Sequence, residues 1–175
     1  MAFIFDEKIL DKLKNFELTS KYTAPCPDFH NLAIRPLSID DYKKGIYDVL
    51  TFLTEIGEIS EASYIDHFLK MKNASNSYYI VVVEDKSNGQ IVACGSLILQ
   101  YAFTRSCAVR GYIEDISVRK DYQGKQFGKI ILNTLVSLAK IIGCYKLNLH
   151  CRTEKVEFYQ KFGFDIDGEN MSLVL

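Results

Sequence analysis

The stretch Tyr112-Ile113-Glu114-Asp115-Ile116-Ser117-Val118-Arg119-Lys120-Asp121-Tyr122-Gln123-Gly124-Lys125-Gln126-Phe127-Gly128-Lys129 runs from a strand into a long helix with no linker between them. Four of its first seven residues, Tyr112, Ile113, Ile116 and Val118, are β-branched or aromatic, as a strand favours. The remainder holds Gly124 and Gly128 among the cations Arg119, Lys120, Lys125 and Lys129. Exposed N–H groups at a helix entrance, with the positive dipole end, bind anions, and glycines allow a ligand close approach. A Gly-containing turn with solvated lysines is the other reading. The Walker pattern is excluded, because Gly124 and Gly128 are too close and Ile130 follows Lys129. The three-glycine dinucleotide fingerprint is absent as well.

Glu114 and Asp115 stand side by side in a strand whose Ile113, Ile116 and Val118 call for burial. Strict alternation sends the two carboxylates to opposite faces, unless a bulge re-aims one. A buried carboxylate without partners is costly, so one of them is expected to line a polar cavity. An edge strand with both acids in solvent is the alternative.

Working outward, Asn31 to Pro36 reads as a short strand. Asp40 precedes a helix with the stripe Tyr42, Ile46, Val49, Leu50 and Leu53, and Ser60 opens another through Tyr64, Ile65, Phe68, Leu69 and Met71. Tyr78–Glu84 and Ile91–Leu99 are strands joined across Asn88-Gly89, a hairpin signal. A further strand runs from about Ala108 to Val118. Gly128–Ile142 is helical, with Ile131, Leu135, Leu138 and Ile142 on one face and Gly143 at the C-cap. Lys146–Cys151 reads as a strand, Val156–Lys161 as a short helix, and Phe164 onward as strand again. Residues 1–30 form an N-terminal extension with helical spacing at Phe3, Ile4, Ile9, Leu10, Leu13 and Phe16, then an extended Pro25-Cys26-Pro27 connector. Residues 31–175 form one α/β domain, its mostly antiparallel sheet covered by helices on both faces.

The 175 residues suit one domain, and 48% hydrophobic residues suffice for a core. With 21 basic and 22 acidic residues the net charge is −1, so nothing in the bulk charge favours nucleic acid or anionic membrane. No apolar run approaches a membrane span, and no signal peptide is read. Five cysteines without a CxxC, and scattered His30, His67 and His150, argue against a zinc site. A reducing cytoplasm with free thiols is the expectation.

The Ile113-Glu114-Asp115-Ile116-Ser117-Val118 run with Tyr122-Gln123-Gly124-Lys125 and Gly128-Lys129 resembles the acetyl-CoA motif of the GCN5-related N-acetyltransferase superfamily. Gly143-Cys144-Tyr145-Lys146, Leu149, Cys151 and Val156-Glu157-Phe158-Tyr159-Gln160-Lys161-Phe162-Gly163-Phe164 make the closer likeness one to the glucosamine-6-phosphate N-acetyltransferases. The likeness spans Gly111–Phe164 strongly, extends upstream to about Leu32, and is absent from the first thirty residues.

The resemblance implies splayed strands at an acetyl-CoA site and no metal. Backbone groups of Ile116, Ser117 and Val118 would hold the pantetheine; those of Gln123, Gly124, Lys125, Gln126, Phe127, Gly128 and Lys129 would hold the pyrophosphate. Gln126 stands where many members have glycine. The resemblance makes Tyr159 the donor to the departing CoA thiolate, and brings Thr54, Glu114 and Asp115 to an amino-sugar phosphate. His150 stands where the family has a carboxylate, and an imidazole is a base near neutral pH. His150 or Asp115 would then take the amine proton, the other reading of His150 being a hydrogen-bonded strand histidine. The C-terminus lacks the family's basic residues, so Arg105, Arg110, Arg152 or Lys155 would meet the phosphate. A homodimer and a role in amino-sugar nucleotide (UDP-GlcNAc) synthesis are also implied. Another amine acceptor, or a non-catalytic CoA-binding module, are the rival readings.

Overall fold

The computed structural model describes residues 2–15, 31–168 and 171–173. The Pro25-Cys26-Pro27 connector, Phe16 and His30 lie outside them. Five strands form one sheet in the order β1-β2-β3-β4-β5: β1 Leu32–Pro36, β2 Tyr78–Asp85, β3 Gln90–Tyr101, β4 Val109–Val118 and β5 Cys144–Leu149. The first four pair antiparallel and β5 joins β4 in parallel. A parallel neighbour needs a crossover, which is supplied by helix α5, Phe127–Ile142. The expected mixed, mostly antiparallel α/β sheet is thus present.

The period-2 alternation of β2 divides its valines between two cores. Val81 and Val83 pack with Ile131, Leu132, Leu135 and Leu138 of α5. Val82, on the opposite face, packs with Ile46 and Val49 of α2 (Ile46–Leu50) and with Tyr64 and Phe68 of α3 (Glu61–Lys72). Ile131, Leu135 and Leu138 are fully buried, as the four-three spacing anticipates. Helix α5 ends at Gly143, whose φ of 90° is the left-handed cap expected there. Ser60 caps α3 by accepting the Ser63 N–H at 3.1 Å.

The N-terminal residues join the same cores. Phe3 bridges Ser38, Ile4 is buried beside α2, and Leu10 of the single-turn α1 (Lys8–Asp11) packs toward α5. A bidentate pair from Arg35 to Asp41, both bonds 2.7 Å, ties β1 to the 3₁₀ turn Asp41–Lys44. Arg35 and Lys44 also reach Glu84 on β2, at 2.6 and 2.7 Å.

Three local expectations are corrected. The helix foreseen through Tyr42 and Leu53 is broken at Gly45, which has φ 77°, and ends at Leu50, leaving Leu53 in a loop. β5 spans Cys144–Leu149 rather than Lys146–Cys151, because its ladder starts at Val109↔Cys144 and ends at Ile113↔Leu149. Residues 164–168 and 171–173 are not strand, since none of them pairs with the sheet. A single turn, α4 (Thr104–Cys107), left-handed at Arg105, Ser106 and Cys107, joins β3 to β4, and α6 is Val156–Gln160.

Candidate active site

The adjacent carboxylates sit on a bulge. Cys94 pairs with Ser117 and Ser96 with Glu114, so Gly95 alone faces both Asp115 and Ile116. Asp115 takes up the extra residue with φ 56°, a left-handed conformation that Asp tolerates better than most residues. The Cys94 thiol donates to the Asp115 carbonyl at 3.6 Å. Gly95 is required by packing, because a Cβ there would stand 2.4 Å from Ile131 Cγ2. The bulge cancels the alternation that would separate Glu114 from Asp115, and both line one cavity.

That cavity, of about 220 Å³, is walled by Leu53, Ile113, Glu114, Asp115, Ile116, His150 and Tyr159. It opens where β4 and β5 part. Their ladder stops at Ile113↔Leu149, while β4 runs on to Val118 with no β5 partner along Glu114–Val118. His150 is the first residue beyond β5. Tyr159 comes from α6, where its ring is fixed by Phe158 at 5.1 Å and Phe164 at 6.1 Å between centroids.

Burial governs the charges. It raises the carboxyls of Glu114 and Asp115 above the ordinary range, with His150 pulling Glu114 partly back. It also raises the Tyr159 phenol, helped by Cys151 and Glu114, so that the hydroxyl stays protonated at neutral pH. Glu114 Oε1 lies 3.8 Å from His150 Nδ1.

The loop after β4 is pinned to the hairpin between β2 and β3, as the Tyr122 hydroxyl donates to Asp85 at 2.6 Å. Arg119 and Lys125 lie over the Tyr122 ring, 4.9 and 5.0 Å from its centroid. The Tyr122 and Gln123 N–H groups close on the Arg119 and Lys120 carbonyls; the next to find a backbone acceptor is Lys129, on Gln126. Among the described residues, the N–H groups of 124–128 therefore remain available at the entrance of α5. Gln126 has φ 69°, which explains why a glycine suits this position, and nothing lies within 4 Å of the Cβ that Gly124 lacks.

This layout fits a pantetheine thioester with a pyrophosphate tail. Ser117 and Val118 pair with Cys94 and Ala93 of β3, but on its β5 side the β4 edge at Ile116, Ser117 and Val118 has no strand partner, and the donors at 124–128 follow it directly. The Ser117 side chain is turned away from that role, bonded to the Val49 carbonyl at 2.6 Å. The Gln123 side chain folds back to the Val118 carbonyl at 3.0 Å.

Glu114, Asp115, Ile116, His150 and Tyr159 thus come together, and other expected site residues do not join them. Thr54 is exposed, and its neighbour Leu53 lines the cavity instead. Arg152 and Lys155 are exposed just beyond His150. Arg105 and Arg110 are engaged elsewhere: both lie over the Tyr145 ring, and Arg110 donates to the Tyr145 hydroxyl at 3.0 Å. Sequence reasoning missed Leu53 and Ile113 as cavity walls, and Gly95 as the residue opposite the bulge. A glycine inside a strand of β-formers is the signal that could have found the last of these.

The model of the acetyltransferase (GNAT) family matches residues 44–164. A probable glucosamine 6-phosphate N-acetyltransferase of Drosophila melanogaster is 33% identical over 179 residues, 99% of this chain and 81% of the relative. Glucosamine 6-phosphate N-acetyltransferase 1 of Dictyostelium discoideum is 38% identical over 144 residues, 82% of this chain and 91% of the relative. The crystal structure of glucosamine-6-phosphate N-acetyltransferase from Arabidopsis thaliana superposes with a TM-score of 0.78 at 34% identity, covering 82% of this chain and 97% of that one.

Proposed function

We propose that this chain, which belongs to the acetyltransferase (GNAT) family, transfers acetyl from acetyl-CoA to the 2-amino group of D-glucosamine 6-phosphate. N-acetylglucosamine 6-phosphate and CoA are the products. One observation carries the reaction: a single cavity, at the point where β4 leaves β5, holds two carboxyls, an imidazole and a protonated phenol. The named activity of relatives aligned over most of both chains supports the acceptor.

Acetyl-CoA, when bound, supplies the activated acyl group as a thioester. The residues of the chain do the rest. Ile116, Ser117 and Val118 present main chain to the pantetheine arm, and the N–H groups of 124–128, with Lys125 and Lys129 nearby, hold the pyrophosphate. Asp115 draws the amino group into the cavity, with Glu114 beside it on the same wall. His150 takes the proton released as the amine nitrogen bonds to carbon. Tyr159 donates its hydroxyl proton toward the departing sulfur. Arg152, one residue past Cys151, meets the phosphate.

The same reading takes the chain as a cytoplasmic homodimer that supplies amino-sugar nucleotide synthesis. Five widely spaced cysteines without a CxxC support a reducing compartment. Among the described residues, no helix is long and apolar enough to cross a membrane.

The test is CoA thiol release from acetyl-CoA with glucosamine 6-phosphate, glucosamine, a lysine peptide or spermidine, with product mass recorded. Turnover confined to glucosamine 6-phosphate is expected. Turnover on another amine alone would replace the acceptor, and CoA binding with no turnover would replace the reaction.

A further inference from the structure

We infer that Glu114 is a positioning residue for His150, making a carboxylate–imidazole pair that accepts the amine proton where one carboxylate would otherwise serve. This rests on the proton-acceptor role proposed for His150.

The two side chains come from different elements, Glu114 from the end of the β4–β5 ladder and His150 from the first position beyond it. Glu114 Oε1 lies 3.8 Å from His150 Nδ1, and both groups wall the same cavity. That separation is an ion-pair distance, about 1 Å longer than a hydrogen bond. With Nδ1–H held toward Glu114, the lone pair of Nε2 is left for the cavity. When the amine nitrogen has bonded to the acyl carbon, its N–H bond breaks and the proton moves to Nε2. The imidazolium so formed is balanced by the Glu114 carboxylate, and no net charge is created in the cavity.

The other titratable groups around His150 do not replace Glu114 in this role. Asp115, the next residue on β4, makes no ion pair with the ring, and its carboxyl responds to burial alone. Tyr159 of α6 is held as the neutral phenol, and Cys151 adjoins His150 in the chain as an exposed thiol. The loop between α2 and α3 contributes only apolar Leu53 to the cavity. The two carboxylates therefore divide the work, Asp115 facing the substrate amine and Glu114 the base.

Nitrogen-15 NMR of His150, assigned with His150→Gln, tests the pair in the full-length protein without substrate, because the Nδ1 and Nε2 shifts report which nitrogen of the neutral ring carries the proton. The Nδ1–H form is expected to predominate in the unmodified protein. Glu114→Leu, which removes the acceptor and keeps side-chain bulk, is expected to lose that preference. With glucosamine 6-phosphate, kcat of the variant should fall by roughly 10- to 100-fold. A tautomer preference that Glu114→Leu leaves unchanged overturns the pair. A preference that is lost while kcat stays overturns the positioning role. If glucosamine 6-phosphate gives no turnover in the unmodified protein, the proposed reaction fails, and the tautomer preference alone still decides the pairing.

Discussion

The hydroxyl of Ser117 donates a 2.6 Å bond to the backbone carbonyl of Val49, 68 residues earlier in the chain. Both groups are buried, and the bond joins helix α2 to β4 just beyond the bulge. It fixes the loop that carries Leu53 relative to the strand that carries Asp115. Ser117→Ala leaves the Val49 carbonyl only the longer 3.4 Å bond from the Phe52 N–H. A loss of roughly 0.5–1.5 kcal/mol in urea-unfolding free energy is expected. Ser117→Thr, which keeps the hydroxyl, should recover most of it.

Gly95→Ala tests the bulge itself. The added methyl meets Ile131 Cγ2 at 2.4 Å and Leu135 Cδ1 at 3.1 Å, both on the buried face of α5. Overpacking of this kind costs about 1–3 kcal/mol. Because strain relief must move β3 or α5, and with them the paired bulge, turnover should fall by more than the unfolded fraction explains. Thermal melting and kcat measured on the same preparation separate the two effects.

Asp115→Asn should exchange activity for stability. Burial raises the Asp115 carboxyl, so the folded state binds its proton more tightly than the unfolded state does. The ionised group therefore destabilises the fold at neutral pH, and the penalty disappears as pH falls through the raised value. Asparagine keeps the left-handed backbone without the charge. The variant should melt higher than the parent at pH 7, with the difference shrinking in acid. On the proposed mechanism, kcat falls by roughly 100-fold.

Glu84 has the opposite sign. Burial raises its carboxyl, but hydrogen bonds from Lys44 and Arg35 outweigh burial and leave it below the ordinary value. The folded state then binds its proton less tightly than the unfolded state. This contribution is complete above the ordinary glutamate value and is lost as pH falls through the folded one. Glu84→Gln should lower the urea midpoint at pH 7, and the two proteins should converge as the pH falls below the lowered folded value.

Much of this architecture is legible in single residues. The Ile131, Leu135 and Leu138 stripe and the Gly143 cap specify α5, because periodicity and one left-handed residue determine a helix and its end. Adjacent Glu114 and Asp115 already pose the question that the bulge answers. Less legible is where pairing stops. The alternation of Lys146–Cys151 contains no sign that the ladder ends at Leu149, since that is set by the divergence of β4. The break at Gly45 is hidden by an apolar stripe that continues past it. At the site, Tyr159 and His150 are named by resemblance, whereas the Glu114–His150 approach follows from strand register, which no local pattern encodes.

The end of the β4–β5 ladder also divides the molecule mechanically. Beyond Ile113 and Leu149, among the described residues, the segment carrying His150 and α6 has no strand pairing with the sheet and is held by side-chain packing and by the Glu114–His150 and Lys146–Asp167 ion pairs, and such a segment opens at lower free energy than the strands behind it. A ligand spanning the gap couples the two halves, adding stability that grows with the logarithm of its concentration. On the proposed reading that ligand is acetyl-CoA. Protease resistance of this chain would then rise and fall with cosubstrate supply, so that a cell short of acetyl-CoA would lose the enzyme itself as well as its turnover.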